Sequence, residues 1–204
     1  MRFLYVMDPM CAWCYGFKPE LEQFLGQYPS AETVWIMGGL APDNDQPMAP
    51  EMQQTIAAYW RQIEEKTQVS FNHDYWLLNT PYRSTYQACR AVIVAETIQQ
   101  HTAAKMANAI QSAYYREAKN PSLNQTLFDC ANLIGLDVAQ FQELLLSAQT
   151  EQKLQEQLSI TQQLQVGGFP ALFYLNEDNQ AYPLALGYCT AGELTERFSK
   201  MSEA

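Results

Sequence analysis

The sequence predicts an α/β fold: a strand–helix–strand opening, a long all-helical middle, and a hairpin followed by a last helix. Three observations carry this. Residues 2–7 (RFLYVM) and 33–37 (TVWIM) are apolar runs of strand length, separated by a helical pattern with Phe17, Leu21, Phe24 and Leu25 on one face. From about residue 50 to 165 the apolar residues recur at helical spacing. After Gly167–Gly168–Phe169–Pro170 the pattern returns to strands at 171–175 (ALFYL) and 180–186 (QAYPLAL).

Each element has a local reason. Asp8–Pro9 reads as the start of the first helix, with an acceptor at the N-cap and proline at the first helical position. That helix ends near Gly26 to Pro29, and Gly38–Gly39 stops the second strand. A helical crossover of this kind predicts a parallel strand pair of right-handed connection. Residues 41–50 (APDNDQPMAP) are a Pro/Asp-rich connection. Helices are expected at about 50–67, 84–100, 102–118, 122–134, 137–148 and 150–165. Ser122 with Gln125 fits a capping box, and Gly135 a C-terminal stop. The last of these helices is rich in Gln and reads as a solvated face around Leu154, Leu158 and Leu164. Glu177–Asp178–Asn179 is a turn, and Thr190 with Glu193 caps a C-terminal helix. Residues 1–40 and 166–204 thus form one unit, with 41–165 inserted as a helical domain, and no solenoid repeat is visible.

Composition narrows the function. The 204 residues are 48% hydrophobic with 12 Tyr, 9 Phe and 4 Trp, enough for a sizeable core. A net charge of −10 without any basic block argues against nucleic acid and anionic membrane surfaces as partners. No apolar run approaches the ~20 residues of a membrane span. Only Arg2 precedes a short apolar run ending at Asp8–Pro9, so a secretory leader is not expected and a cytoplasmic, reducing setting is. An acidic chain with no apolar stripe is compatible with a monomer. Five cysteines, Cys11, Cys14, Cys89, Cys130 and Cys189, are too few and odd in number for a disulfide scaffold.

The stretch Met7-Asp8-Pro9-Met10-Cys11-Ala12-Trp13-Cys14-Tyr15-Gly16-Phe17 carries the chemistry. A helix starting at Pro9 would place Cys11 in its first turn, where unpaired N–H groups and the dipole stabilise a thiolate by ~0.3–1 kcal/mol. Cys14 returns to the same face, deeper beneath the turn. Cys11 is then the exposed attacking thiol and Cys14 the resolving one. Lys18 could assist the thiolate and Asp8 would oppose it. Three other readings stand beside redox chemistry. A structural zinc needs two more ligands, while only isolated cysteines and the distant His73 and His101 remain; no metal is expected. A shared iron–sulfur cluster and two cysteines packed as small hydrophobes are the others.

With Cys11–Cys14 at the first strand–helix turn and Gly168-Phe169-Pro170 opening the third strand, the whole chain resembles the thioredoxin superfamily in its DsbA-like branch. The fold implied is a thioredoxin-like core with a helical insertion. The resemblance implies a thiol–disulfide oxidoreductase or disulfide isomerase. Cys11 matches the nucleophile, Cys14 the resolving cysteine, and Pro170 the cis-proline facing the dithiol. Phe169 should pair its backbone with an extended substrate. Gly168 and Trp13 should line the same surface, and Gly187-Tyr188-Cys189 should border it.

No cofactor beyond the dithiol is implied, with glutathione or another thiol as electron partner and a disulfide-containing protein, peptide or small molecule as substrate. Two departures matter. Tyr5 stands where many thioredoxins carry a buried acid, so Asp8 is either a structural N-cap, the favoured reading, or the proton handler for Cys14. Ala12–Trp13 lacks the histidine of strongly oxidising relatives, which favours a reductase or isomerase over an oxidase. Related folds also serve glutathione-dependent kappa-type transferases and an aromatic isomerase, and a redox-silent peptide-binding chaperone is a further alternative. Cys89 and Cys130 read as core, and Cys189 as a buried bystander, with a third redox-active thiol at the edge of the site as the alternative.

Overall fold

The computed structural model describes residues 1–202. Among them, β1 (Arg2–Met7), β2 (Glu32–Met37), β3 (Ala171–Leu175) and β4 (Ala181–Leu186) form one sheet in the order β2-β1-β3-β4. β1 pairs parallel with β2, across the helix α1 (Ala12–Leu25), and antiparallel with β3, which forms a hairpin with β4. From Phe3 to Met7 β1 carries no charged residue, because both its faces are covered there. Phe3, Tyr5 and Met7 enter the main core, while Leu4 and Val6 pack with Ile36, Ala171 and Phe173. On the main-core face Phe3 meets Phe24 of α1 at 5.3 Å and Phe198 of the C-terminal helix, Ala191–Ser202, at 5.5 Å.

Between β2 and β3 run α2 (Pro50–Thr67), α3 (Tyr75–Leu78), α4 (Tyr86–Ile98), α5 (Ala103–Tyr115), α6 (Asn124–Leu133), α7 (Val138–Leu145) and α8 (Ala148–Gln163); the C-terminal helix is α9. α4 is buried over most of its length and is the axis of this helical layer. A second aromatic centre forms around Trp60 of α2, with Phe71, Tyr75, Trp76, Tyr114 and Tyr115 within 6 Å of its ring. Glu64 fixes the segment entering that centre, accepting from the Phe71 N–H and pairing with His73 Nε2 at 2.9 Å.

The register of β2 leaves one edge of the sheet open. Glu32 and Gly38 donate their N–H groups to Met1 and Met7, so the even-numbered residues face β1 and the odd-numbered ones face outward. Of the outward groups, Met37 N–H is taken by Gln157 Oε1 of α8 at 2.7 Å.

Several local expectations give way to tertiary partners. The first helix begins at Ala12 with Cys11 as N-cap, not at Pro9, and Asp8 caps nothing in it. The capping box at Ser122 and Gln125 is not formed. Ser122 donates instead to the Ser84 carbonyl, Gln125 reaches Asp129, and α6 starts after Leu123. Thr190 and Glu193 do form theirs, the Thr190 N–H meeting Glu193 Oε2 at 2.7 Å and the Glu193 N–H meeting Thr190 Oγ1 at 3.2 Å. Gly135 ends α6 with φ +82°, as the stop signal requires. The one-turn α3 has no counterpart in the sequence reading, and Gln157 is a strand cap, not part of a solvated face.

Candidate active site

Asp8 is the hub on which the site is hung. Its side chain is fully buried at the end of β1. Oδ1 accepts from the Met10 N–H at 2.8 Å, and Oδ2 accepts from the Leu40 N–H at 2.7 Å and the Thr85 hydroxyl at 2.6 Å, with the Cys89 thiol at 3.4 Å. One carboxylate therefore ties the active-site turn to the loop after β2 and to α4. Burial pushes its pKa up, against the opposing pull of those four hydrogen bonds. Its backbone carbonyl accepts from the Cys11 N–H at 3.0 Å, closing the turn that delivers Cys11 to the N-cap of α1.

The two sulfurs occupy different environments. Cys11 sits at the open end of α1, where the first-turn N–H groups have no partner within the helix. It is 7% exposed, more covered than an attacking thiol was expected to be, because the Phe169 backbone lies over it with the carbonyl oxygen 3.7 Å from Sγ. Cys14 lies beneath it at 1% exposure, and burial and then the neighbouring Cys11 hold its thiol well above the ordinary range. Tyr5 lies against Cys14 from the sheet side. Burial, and then Cys14 and Cys11, keep its phenol protonated as a donor facing the buried sulfur.

The peptide bond Phe169–Pro170 is cis. The Pro170 carbonyl accepts from the Gly187 N–H at 2.7 Å, which brings the loop of Tyr188 and Cys189 beside the same turn. Trp13 meets Tyr188 with ring centroids 5.9 Å apart and forms the outer wall. Gly168 borders the turn with open space around it. Cys11, Cys14, Trp13, Gly168, Phe169 and Pro170 are thus gathered at one end of α1. Lys18 is not: its ammonium pairs with Glu22 at 3.8 Å. Cys189 is 4% exposed, and burial raises its pKa; burial raises that of Cys130 to about 11. Among the described residues all five cysteines are free thiols, and no group of His, Cys, Asp or Glu side chains is arranged to hold a metal.

The DsbA-like thioredoxin domain model matches residues 4–187. The chain belongs to that family. A solved structure from Nitrosomonas europaea, described as a putative protein disulfide isomerase, superposes on this DsbA-like chain with a TM-score of 0.89 at 25% identity, covering 99% of this chain and 97% of that one. The cytosolic disulfide reductase DsbM from Pseudomonas aeruginosa shares the fold, at a TM-score of 0.82 and 20% identity over the full length of both chains. A curated relative, the ClpXP adapter protein SpxH of Halalkalibacterium halodurans, is 24% identical over 178 residues, which are 84% of this chain and 58% of that protein. The DsbA-like chain thus spans less than two thirds of the length of that relative.

Two residues of this DsbA-like site are visible only in three dimensions. Cys89, expected in the core, is a donor to Asp8. Gly38 lies under the Phe169 ring, where a Cβ would meet Cε1 at 2.0 Å. Its place after a strand was readable from the sequence; the ring 131 positions away was not. Gly38→Ala is therefore expected to push Phe169 off its place over Cys11. Exchange activity should fall about 10- to 100-fold, as for a misplaced positioning group. Overpacking should cost about 1–3 kcal/mol. Insulin-disulfide reduction beside a thermal melt separates the two effects.

Proposed function

We propose that this chain is a thiol–disulfide oxidoreductase that works as a reductase or isomerase through the Cys11–Cys14 dithiol. Membership of the DsbA-like family supports the oxidoreductase class. The observation that carries the mechanism is the unlike environment of two neighbouring thiols: Cys11 at the helix end against the Phe169 carbonyl, and Cys14 buried, with burial and then Cys11 raising its pKa.

The Cys11 thiolate attacks one sulfur of a substrate disulfide, forming the mixed disulfide and expelling the other sulfur as a thiolate that takes up a proton. Cys14, raised in pKa and so held as a thiol at rest, loses its proton and attacks Cys11 Sγ. The Cys11–Cys14 bond forms and the second substrate thiol leaves. The substrate gains two electrons and the dithiol loses them. An external dithiol, or two equivalents of a thiol such as glutathione, restores the starting state. In the isomerase mode the mixed disulfide is instead resolved by another substrate thiol.

An extended substrate segment pairs with the Phe169 backbone while Trp13 and Gly168 border it. Ala12 and Trp13 bring neither charge nor imidazole to the thiolate, which supports reduction or reshuffling over oxidation. No helix among the described residues is long and apolar enough to cross a membrane; a cytoplasmic setting with a disulfide-bearing protein, peptide or small molecule as substrate fits this direction.

Two assays test the reading side by side: insulin-disulfide reduction with glutathione as donor, and reactivation of scrambled ribonuclease. A rate above buffer in the first identifies a reductase, and in the second an isomerase. Buffer rates in both would leave the dithiol without the proposed role.

A further inference from the structure

We propose that the cleft between the open edge of β2 and helices α1, α4, α5 and α8 is a second binding site, for a short neutral peptide-like ligand. The cleft measures about 930 Å³, within the ~300–1,000 Å³ that small-ligand sites span. It meets the exchange site only through the buried Cys14, since Cys11, Trp13, Phe169 and Pro170 do not line it. Its apolar wall includes Leu21, Trp35, Val92 and Ile93, and its floor reaches Tyr5 and Cys14.

Two independent features ask for amide groups. Gln111 of α5 lines the cleft at 2% exposure, and its carboxamide hydrogen-bonds to no side chain or backbone group among the described residues. The carboxamide thus presents an unused donor and an unused acceptor to the cleft, the two functions an amide ligand complements. The second feature is the backbone of β2. With the even-numbered residues committed to β1, the N–H and C=O groups of Thr33 and Trp35 face the cleft side. Their neighbour on that edge, Met37, already pairs with the carboxamide of Gln157, so the edge accepts an amide partner in this fold. Thr33 and Trp35 lie two residues apart, about 6.6 Å along a strand, the repeat of an extended peptide.

The charges on the wall are mostly spoken for. Lys18 pairs with Glu22, Lys153 donates to the Thr97 hydroxyl, and Glu96 accepts the N–H groups of His101, Thr102 and Ala103 at the start of α5. Glu32 and the His101 ring stay at the exposed rim. A neutral backbone suits such walls better than an ion does.

The test uses the reduced full-length protein, labelled with ¹⁵N, titrated with the blocked peptide acetyl-Ala-Leu-Ala-amide. This probe has no thiol and cannot exchange with the dithiol. Saturable shifts are expected in the Gln111 side-chain NH₂ and in the Thr33 and Trp35 amides. Gln111→Leu should weaken binding about 10-fold, the loss of one good hydrogen bond. Thr33→Pro, which removes an outward N–H without touching the β1 ladder, should weaken it to a similar degree. It is the control if Gln111→Leu fails to fold. Cys11→Ser should bind the probe as the native chain does, so failure of the exchange mechanism would leave this result untouched. No saturable shift at several millimolar peptide, shifts confined to the Cys11–Phe169 surface, or unchanged affinity in Thr33→Pro would each overturn the proposal.

Discussion

Cys14→Ser is expected to stall the protein as a mixed disulfide through Cys11, while Cys11→Ser abolishes exchange altogether. The asymmetry follows from burial. Cys11 lies at the open helix end under the Phe169 carbonyl at 7% exposure, whereas Cys14 is 1% exposed. Without Cys14 nothing inside the protein attacks Cys11 Sγ, so the intermediate waits for an outside thiol. Intact-mass analysis after mixing Cys14→Ser with oxidised glutathione should show one added glutathionyl group, on Cys11. The same experiment on Cys11→Ser should show none, because burial raises the remaining thiols Cys14, Cys89, Cys130 and Cys189. Insulin reduction should fall to the buffer rate in Cys11→Ser. A Cys11→Ser variant with native turnover would remove the sulfur from the account.

The second large effect is on stability. Asp8 uses both carboxylate oxygens on donors from three places, Met10, Leu40 and Thr85. Asp8→Asn keeps the volume but offers one acceptor oxygen and an NH₂ where the other acceptor stood. At least one buried N–H then faces another donor, at about 1–3 kcal/mol for each group left without an acceptor. The loss should appear as a lower urea midpoint with an unchanged slope. It should be accompanied by reduced exchange activity, because the same contacts set the turn before Cys11.

The pH dependence of this loss has a fixed sign. Burial raises the Asp8 pKa above its ordinary 3.8, so the folded chain holds a proton that the unfolded chain releases. The contribution of that proton to stability is complete below about pH 4 and is lost as pH rises through the raised folded value. The stability advantage of the native chain over Asp8→Asn should therefore be largest on the acid side of that window and shrink above it. Urea titrations of both proteins across the acid range check this, and a gap that widens with pH would contradict the burial argument.

The same residue shows where sequence reasoning stops. Strand β1 and helix α2 were legible because their signals, an apolar run and a 3.6-residue period, are local. The Thr190–Glu193 box formed because both partners lie within four residues, and Glu193 keeps it with Oε2 while its other oxygen faces Arg197 at 3.8 Å. Ser122 has the same local signal, yet its hydroxyl takes the Ser84 carbonyl, a partner 38 positions distant. Asp8 followed by Pro9 is a good N-cap signal on its own, but Leu40 and Thr85 offer donors no local pattern announces, and their pull moves the helix start to Ala12. The Cys-Ala-Trp-Cys spacing and Gly-Phe-Pro were readable as motifs. Gly38 beneath Phe169, Cys89 on Asp8 and Gln111 in its cleft depend on which surfaces meet, and composition at those positions carries no trace of it.

The central claim is that Cys11 and Cys14 are one redox couple, and its most direct measurement is the reduction potential of that pair. The protein is equilibrated in graded glutathione buffers, its free thiols are trapped with a mass-shifting alkylating agent, and the modified positions are read by peptide mass. The account predicts a single two-electron transition in which Cys11 and Cys14 lose their label together while Cys89, Cys130 and Cys189 keep theirs. Its midpoint should lie near or below about −230 mV, the range of reducing dithiols. A midpoint near about −150 mV would make the pair an oxidant and contradict the reading of Ala12 and Trp13. Two cysteines that stay labelled at every poise would contradict the couple itself.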